Sequence, residues 1–418
     1  TKPYFIGQRV VAERSAVSSD RALVQASLPA PVALSSPIGD ASPPSSGTAP
    51  TGWTMPRSYG DPEAELKTLR EGAGLIDETA LGITEIAGPD ARQFLDLVTT
   101  NDLSFLGVGG AQYTFLLDPD GRVVADGLLY RPGPDRYWLT TAPEYTTRVS
   151  EWLQTASSGT YAVDRDVPST TLPTRLTVRD LRNLGDNDAR VVIGVAGPNA
   201  LAALRLVAET VDERRALGRL RRFNVAGSRL AGATIDVART GHTGAAHNYE
   251  VFVAPARALA VWDALLSKGA ELGAKPVGWD AWRACGIAAG LPMTGHEVSG
   301  DVDLTPIQVG CGRQVQVHKP FFVGRRRLLD RPYPPIAEIV RFRFEASDRA
   351  TPTEGAAILD EHGESVGAVT SVSPVEGEPI GLGLVKQAAA VVGTRLGIAL
   401  SGQADTIVKI EVLTRFPK

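Results

Sequence analysis

A chain of 418 residues, 43% hydrophobic and 22% charged, is long enough for two to four domains with buried cores. Its formal net charge of −4 excludes a basic footprint for nucleic acid or an anionic membrane. Two cysteines, Cys285 and Cys311, make neither a disulfide framework nor a metal spacing, and no apolar run reaches transmembrane length. With no apolar signal core in the opening residues, the expectation is a cytoplasmic protein that acts on a small molecule. Nothing in the sequence sets its oligomeric state.

Residues 1–50 read as an N-terminal arm and linker, because Gln25–Pro50 is rich in Pro, Ser and Ala with almost no charge. Gly52-Trp53-Thr54-Met55 should start the compact body. Asp61-Pro62 opens a helix with a capping carboxylate and a proline at the first helical position. Leu75-Ile76-Asp77 and Ile83–Ala87 read as strands, and Gly88-Pro89-Asp90 opens a second, N-capped helix over Ala91–Thr99. Tyr113–Leu117, the turn Asp118-Pro119-Asp120-Gly121 and Val123–Tyr130 form a β-hairpin. Arg136–Thr141 then reads as a strand and Tyr145–Ser157 as an amphipathic helix.

The stretch from Ala87 to Val98 is echoed from Ala196 to Val207, each with a strand, a Gly-Pro turn and a helix with the same apolar positions. The echo predicts two related α+β units, over 51–172 and 173–290, joined by a connection over 291–335 that packs back on the first. Val251–Val253 is a strand of the second unit, and Ala256–Gly269 and Trp279–Gly290 are its later helices. Short strands punctuated by turns fill 336–418 and predict a small β-barrel.

One carboxylate interrupts the apolar return strand of the hairpin, Asp126. A buried charge must be hydrogen-bonded, paired or shifted in pKa, so Asp126 is either structural or chemical. Arg239-Thr240-Gly241-His242-Thr243-Gly244 forms a glycine loop that lets backbone approach a ligand, with Tyr249-Glu250 opening the next strand. It is not a phosphate loop, and His242 with His247 lacks a third metal ligand. His296-Glu297 lacks the second histidine of a zinc protease, and no Gly-x-Ser-x-Gly elbow is present. Cys285 reads as a core residue and Arg325-Arg326-Arg327 as a solvated face.

From Trp53 to Val385 the ordered motifs resemble the aminomethyltransferase family. They include Gly88-Pro89-Asp90-Ala91, Thr99-Thr100-Asn101-Asp102, Tyr113-Thr114, the run from Gly121 to Asp126, the glycine loop, Gly290-Leu291-Pro292 and the run from Val366 to Ser371. The resemblance implies two related α+β (ferredoxin-like) domains and a C-terminal β-barrel around a central channel. It also implies a one-carbon transferase that uses tetrahydrofolate, with Asp126 as its catalytic carboxylate. Glu250 would anchor the pterin and Tyr113 would line the folate site. Thr141, Arg239, His242 and Tyr249 would complete the cofactor shell.

Departures qualify the likeness. Gly286 stands where the family carries an Arg that helps bind folate, and Ala288 where it carries a Glu. Arg313 and Gln316 replace an aromatic residue and a Lys, and His242 replaces the loop's Tyr. The sequence reading is therefore a transferase acting on something other than the glycine-cleavage intermediate. Its alternatives are a folate-independent acid–base enzyme using Asp126 and His242, and a non-enzymatic folate-binding assembly factor.

Overall fold

Runs of Val, Ile and Leu with strand character alternate with helices whose apolar stripes cover the sheets. The computed structural model describes residues 56–417 apart from 168, 183–186, 246, 299–302, 345–351 and 401–406. The expected linker and the start of the body at Gly52–Met55 lie outside the described residues. Helix α1 (Pro62–Glu71) and β1 (Ala73–Asp77) lead into β2 (Gly82–Ala87), α2 (Ala91–Val98), β3 (Ala111–Leu117), β4 (Val123–Gly133), β5 (Arg136–Thr141) and α3 (Thr146–Ser157). Then come β6 (Thr177–Asp180), β7 (Val191–Ala196), α4 (Ala200–Val207), α5 (Val211–Arg219), β8 (Val225–Leu230), β9 (Ala233–Ala238) and β10 (Asn248–Val253). Helix α6 (Pro255–Gly269), β11 (Ala274–Val277), α7 (Trp279–Ala288) and the short α8 (Arg325–Leu329) precede the final strands. These are β12 (Ala337–Phe344), β13 (Ala357–Leu359), β14 (Ser365–Val372), β15 (Ile380–Lys386), β16 (Arg395–Ala399) and β17 (Ile407–Leu413).

The strands form a five-stranded sheet, β3-β4-β5-β2-β6, a six-stranded sheet, β11-β1-β7-β10-β9-β8, and a closed barrel, β12-β15-β14-β13-β16-β17. Two α+β units and a small barrel are thus the architecture, as predicted. Strand β16 joins the barrel between β13 and β17, a strand the turn spacing does not single out. Among the described residues, no helix is long and apolar enough to cross a membrane.

Chain order and sheet membership differ at two places. Strand β1, expected in the 51–172 unit, pairs parallel with β11 and antiparallel with β7 in the six-stranded sheet. Strand β6, expected in the 173–290 unit, pairs with β2 at the edge of the five-stranded sheet. All five residues of β1 are buried, and such a strand needs partners on both edges, which the six-stranded sheet supplies. The five-stranded sheet is consequently inserted between the first and second strands, in chain order, of the other sheet.

The echo is structural as well as sequential. Helices α2 and α4 bury the same positions, Ala91, Phe94, Leu95 and Val98 against Ala200, Ala203, Leu204 and Val207. Gly88 (φ 135°) and Gly197 (φ 116°) precede them, where a Cβ would stand 2.6 Å from Arg175 O and 2.5 Å from Gly72 O. Only glycine permits both the angle and the approach. The predicted N-caps of these two helices do not form, since neither Asp90 nor Asn199 makes a capping bond. Other partners draw the two side chains away instead. Asp90 pairs with Arg175 (2.7 Å), and Asn199 donates to Leu272 O (2.9 Å). Asp61 caps α1 as expected, accepting from Glu63 and Ala64 N–H.

In the 291–335 connection, Val309, Cys311, Val315 and Phe322 pack on Phe115 and Leu117 of β3 and on Ile380 and Leu382 of the barrel. Lys319 is buried there, its ammonium donating to the carbonyls of Asp96, Thr99 (2.9 Å) and Asn101 (3.0 Å). It thereby places a cation at the C-terminal end of α2. Burial lowers its pKa, and Asp96 counters that.

Candidate active site

The hairpin register sets Asp126 opposite Phe115, and alternation puts Tyr113 on the same face. The Tyr113 hydroxyl donates to Asp126 Oδ2 at 2.5 Å, and the Thr294 hydroxyl donates to Oδ1 at 2.9 Å. Both carboxylate oxygens are therefore aimed by neutral donors. Burial, followed by the Asp126 charge, pushes the Tyr113 phenol well above 10, so it remains a donor. Burial and then Asp126 also raise the Cys311 thiol to about 12, which leaves it protonated and a poor nucleophile.

Thr294 is held from the barrel side. Glu297, wholly buried, accepts from Met293 N–H (2.8 Å) and from the hydroxyls of Thr370 (2.5 Å) and Ser371 (2.8 Å) on β14. It fixes the 293–298 turn whose Thr294 orients Asp126. Sequence reasoning weighed Glu297 only as half of a zinc-protease motif and missed this. Its neighbour His296 pairs with Glu354 (3.3 Å). Among the described residues no group of three potential metal ligands forms.

Asp126 lines a cavity of about 1210 Å³ between the two sheets, walled also by α7, the connection and the C-terminal tail at Phe416. Tyr113, Thr141, Arg239 and His242 share that wall, so five of the seven residues singled out from the sequence meet in one place. The Thr141 hydroxyl and His242 Nε2 are buried without a hydrogen-bond partner among the described residues. Arg239 donates to Leu220 O (3.1 Å) and lies 3.4 Å from His247 Nδ1.

Two expected contacts need correction. Tyr249 is adjacent to Glu250 on β10, and successive strand residues face opposite sides. Its ring lies in the core of the six-stranded sheet rather than in the cavity, with the Arg239 guanidinium 5.9 Å from the ring centre. Glu250 is 1% exposed and stands behind the wall rather than in it. Its Oε2 accepts from the Tyr130 hydroxyl and from Thr240 (2.5 Å), while Oε1, 3.9 Å from His242 Nε2, has no hydrogen-bond partner among the described residues.

A carboxyl that the sequence reading passed over does face the cavity. Glu78 directly follows β1, is 6% exposed and lines the wall. Burial, then Glu250, then Asp77 push its pKa well above 4.5. An acid immediately after the Leu75-Ile76-Asp77 strand was the available signal. Gly286, where the family carries an Arg, is a short step away: a Cβ there would stand 3.5 Å from Met293 Sδ and 3.6 Å from His242 O, both of cavity-lining residues.

The GCVT N-terminal domain family matches residues 46–319, and the glycine cleavage T-protein C-terminal barrel domain family matches residues 338–416. An aminomethyltransferase of Saccharopolyspora erythraea is 33% identical over 359 residues, covering 85% of this chain and 89% of the relative. One from Symbiobacterium thermophilum is 32% identical over 352 residues, covering 83% and 87%. The solved structure of glycine cleavage system aminomethyltransferase T from Bartonella henselae superimposes with a TM-score of 0.70 over 87% of this chain and 91% of that one. At 22% identity, that likeness bears on the fold.

Proposed function

The chain belongs to the aminomethyltransferase family, and from that premise we propose that it moves a one-carbon unit between a small-molecule donor and tetrahydrofolate, with Asp126 as the catalytic carboxylate. The family consists of one-carbon transferring enzymes that use tetrahydrofolate. The observation that carries the reading is the environment of Asp126, a carboxylate at a cavity wall whose two oxygens are both aimed by uncharged hydroxyls. Neither donor is charged, so a cationic carbon–nitrogen centre brought to this nearly buried carboxylate would displace no cation from it.

The residues present suit a reduced pterin. Thr141, His242 and Glu78 offer polar atoms without partners among the described residues, and Trp279 and Trp282, stacked at 4.2 Å, give the same cavity an aromatic wall. Bound tetrahydrofolate would supply the nitrogen that gives up or receives the one-carbon unit. This chain's part is to exclude water, orient both reactants and hold charge or a proton at Asp126. The proposed donor is not the glycine-cleavage intermediate. The absence of Arg and Glu side chains at Gly286 and Ala288 supports a rewritten donor shell.

His242 lies against Glu250, which weakens a folate-free mechanism that would couple it to Asp126. The buried free thiols Cys285 and Cys311 suit a reducing, cytoplasmic setting. Calorimetric titration with tetrahydrofolate tests the assignment. Saturable binding to the wild type, with transfer lost in Asp126→Asn, is the expected result. No saturable binding, or full transfer by the variant, removes it.

A further inference from the structure

Glu78 has a place made for it. Its backbone N–H donates to Val192 O (3.2 Å), which carries the β1–β7 ladder one residue past Asp77. On β7 the residue flanked by Ile76 and Glu250 is Gly194. A Cβ at Gly194 would fall 2.9 Å from Glu78 Cδ and 3.1 Å from each of its oxygens. The glycine thus admits the acid, and its carboxyl group lies on the glycine beside Glu250. Any side chain at 194 displaces it.

The two acids share an unusual state. Glu250 commits Oε2 to the Tyr130 and Thr240 hydroxyls and keeps Oε1 without a partner, and Glu78 Oε2 is equally unpartnered among the described residues. The Trp282 indole N–H falls outside hydrogen-bonding geometry and offsets only part of the burial of Glu78. Neighbouring buried carboxyl oxygens without donors are costly, and a ligand that brings N–H groups relieves that cost. Glu250 alone cannot serve two adjacent N–H groups, because one of its oxygens is already taken by the Tyr130 and Thr240 hydroxyls.

We propose that Glu78 and Glu250 form a split acceptor over Gly194, in which one oxygen from each takes one of two adjacent N–H groups of the bound ligand. The inference rests on the folate reading above, in which those groups are the exocyclic amino group of the pterin, taken by Glu78, and its ring N–H, taken by Glu250. Glu78 is then the residue of this chain that faces the ligand and fixes its selectivity. Glu250 acts from behind and is itself positioned by Tyr130 and Thr240.

Calorimetric binding of tetrahydrofolate and of its 2-desamino-2-methyl analogue to the wild type, Glu78→Val and Glu78→Met tests this. The wild type should prefer tetrahydrofolate by about tenfold, the scale of a lost hydrogen bond. Glu78→Val should lose that preference by weakening tetrahydrofolate binding while leaving the analogue nearly unchanged. Its melting temperature should not fall, because an apolar side chain replaces a buried, unpaired acid. Should the valine variant fail to fold, Glu78→Met, which keeps the length but has no oxygen acceptor, gives the same comparison. Tetrahydrofolate affinity within twofold of wild type, or equal loss for both ligands, overturns the split acceptor and leaves the folate reading standing. No saturable binding of tetrahydrofolate to the wild type overturns both.

Discussion

The cavity brings together two carboxylate sites that stand on different sheets and are completed differently. Asp126, on the five-stranded sheet, has one donor on each oxygen, and both donors come from this chain. Glu78 and Glu250, on the six-stranded sheet, each keep an oxygen without a donor among the described residues. The first site is finished before any ligand arrives, as a group that must meet a developing charge in a fixed orientation should be. The second is left short of donors, as a site that a ligand's N–H groups complete should be. On the proposed reading the difference separates chemistry from selectivity, and it can be broken one side at a time.

The largest effect is expected from Asp126→Asn. Transfer should fall by about a thousandfold or more, on the scale of removing a charge-stabilising or proton-transferring group, while tetrahydrofolate binding changes by less than about tenfold. Paired steady-state kinetics and calorimetry read the two sides separately, and loss of binding in step with activity would merge the two sites into one. Gly194→Ala should do the opposite. The added methyl displaces the Glu78 carboxyl, so tetrahydrofolate affinity should fall by about tenfold with kcat largely kept at saturation. An unchanged affinity would mean that Glu78 is not held where ligand reaches it.

Smaller effects sharpen the comparison. Thr294→Val removes one of the two donors that aim Asp126, and kcat should drop by about tenfold with KM nearly constant, as the neutral hydrogen-bond scale suggests. A change confined to KM would assign Thr294 to binding. The smallest signal lies in stability against pH. Glu78 has its folded-state pKa raised, with Asp77 on its own strand end, Glu250 on β10 and His242, the neighbour of Glu250, as the nearby titratable groups. Above the ordinary value of 4.5 the folded chain binds more protons at Glu78 than the unfolded chain, so stability is lost as pH rises through that window. Glu78→Gln should flatten this slope in melting curves taken from pH 4 upward. Parallel wild-type and variant curves would remove the assigned shift.

What the sequence disclosed follows from what is local. The hairpin around Asp118–Gly121, the repeated Gly-Pro turns and the turn-separated barrel strands are each written within a few residues, and each formed. Asp126 stood out because its charge interrupts an apolar strand. Tyr249 was misplaced although strand alternation beside Glu250 contains the answer. Glu78 and Gly194 could not be paired in advance, since their contact depends on β1 lying against β7, a register set by distant segments. Glu297 was equally silent, because its partners Thr370 and Ser371 lie on the barrel.

The exchange of β1 and β6 between sheets has a consequence for how the molecule is assembled and divided. Gly74 must wait for Ala196 and Lys275 to emerge before its sheet exists, whereas the five-stranded sheet is complete once Asp180 has been made. Non-local pairing of this kind slows folding, so the inserted sheet should form first and present its ends as a template for closing the other. No single cut separates the two sheets with the strands of each complete. A nick between β6 and β7 should leave two fragments that co-purify, because the N-terminal fragment carries the strand at the heart of its partner's sheet.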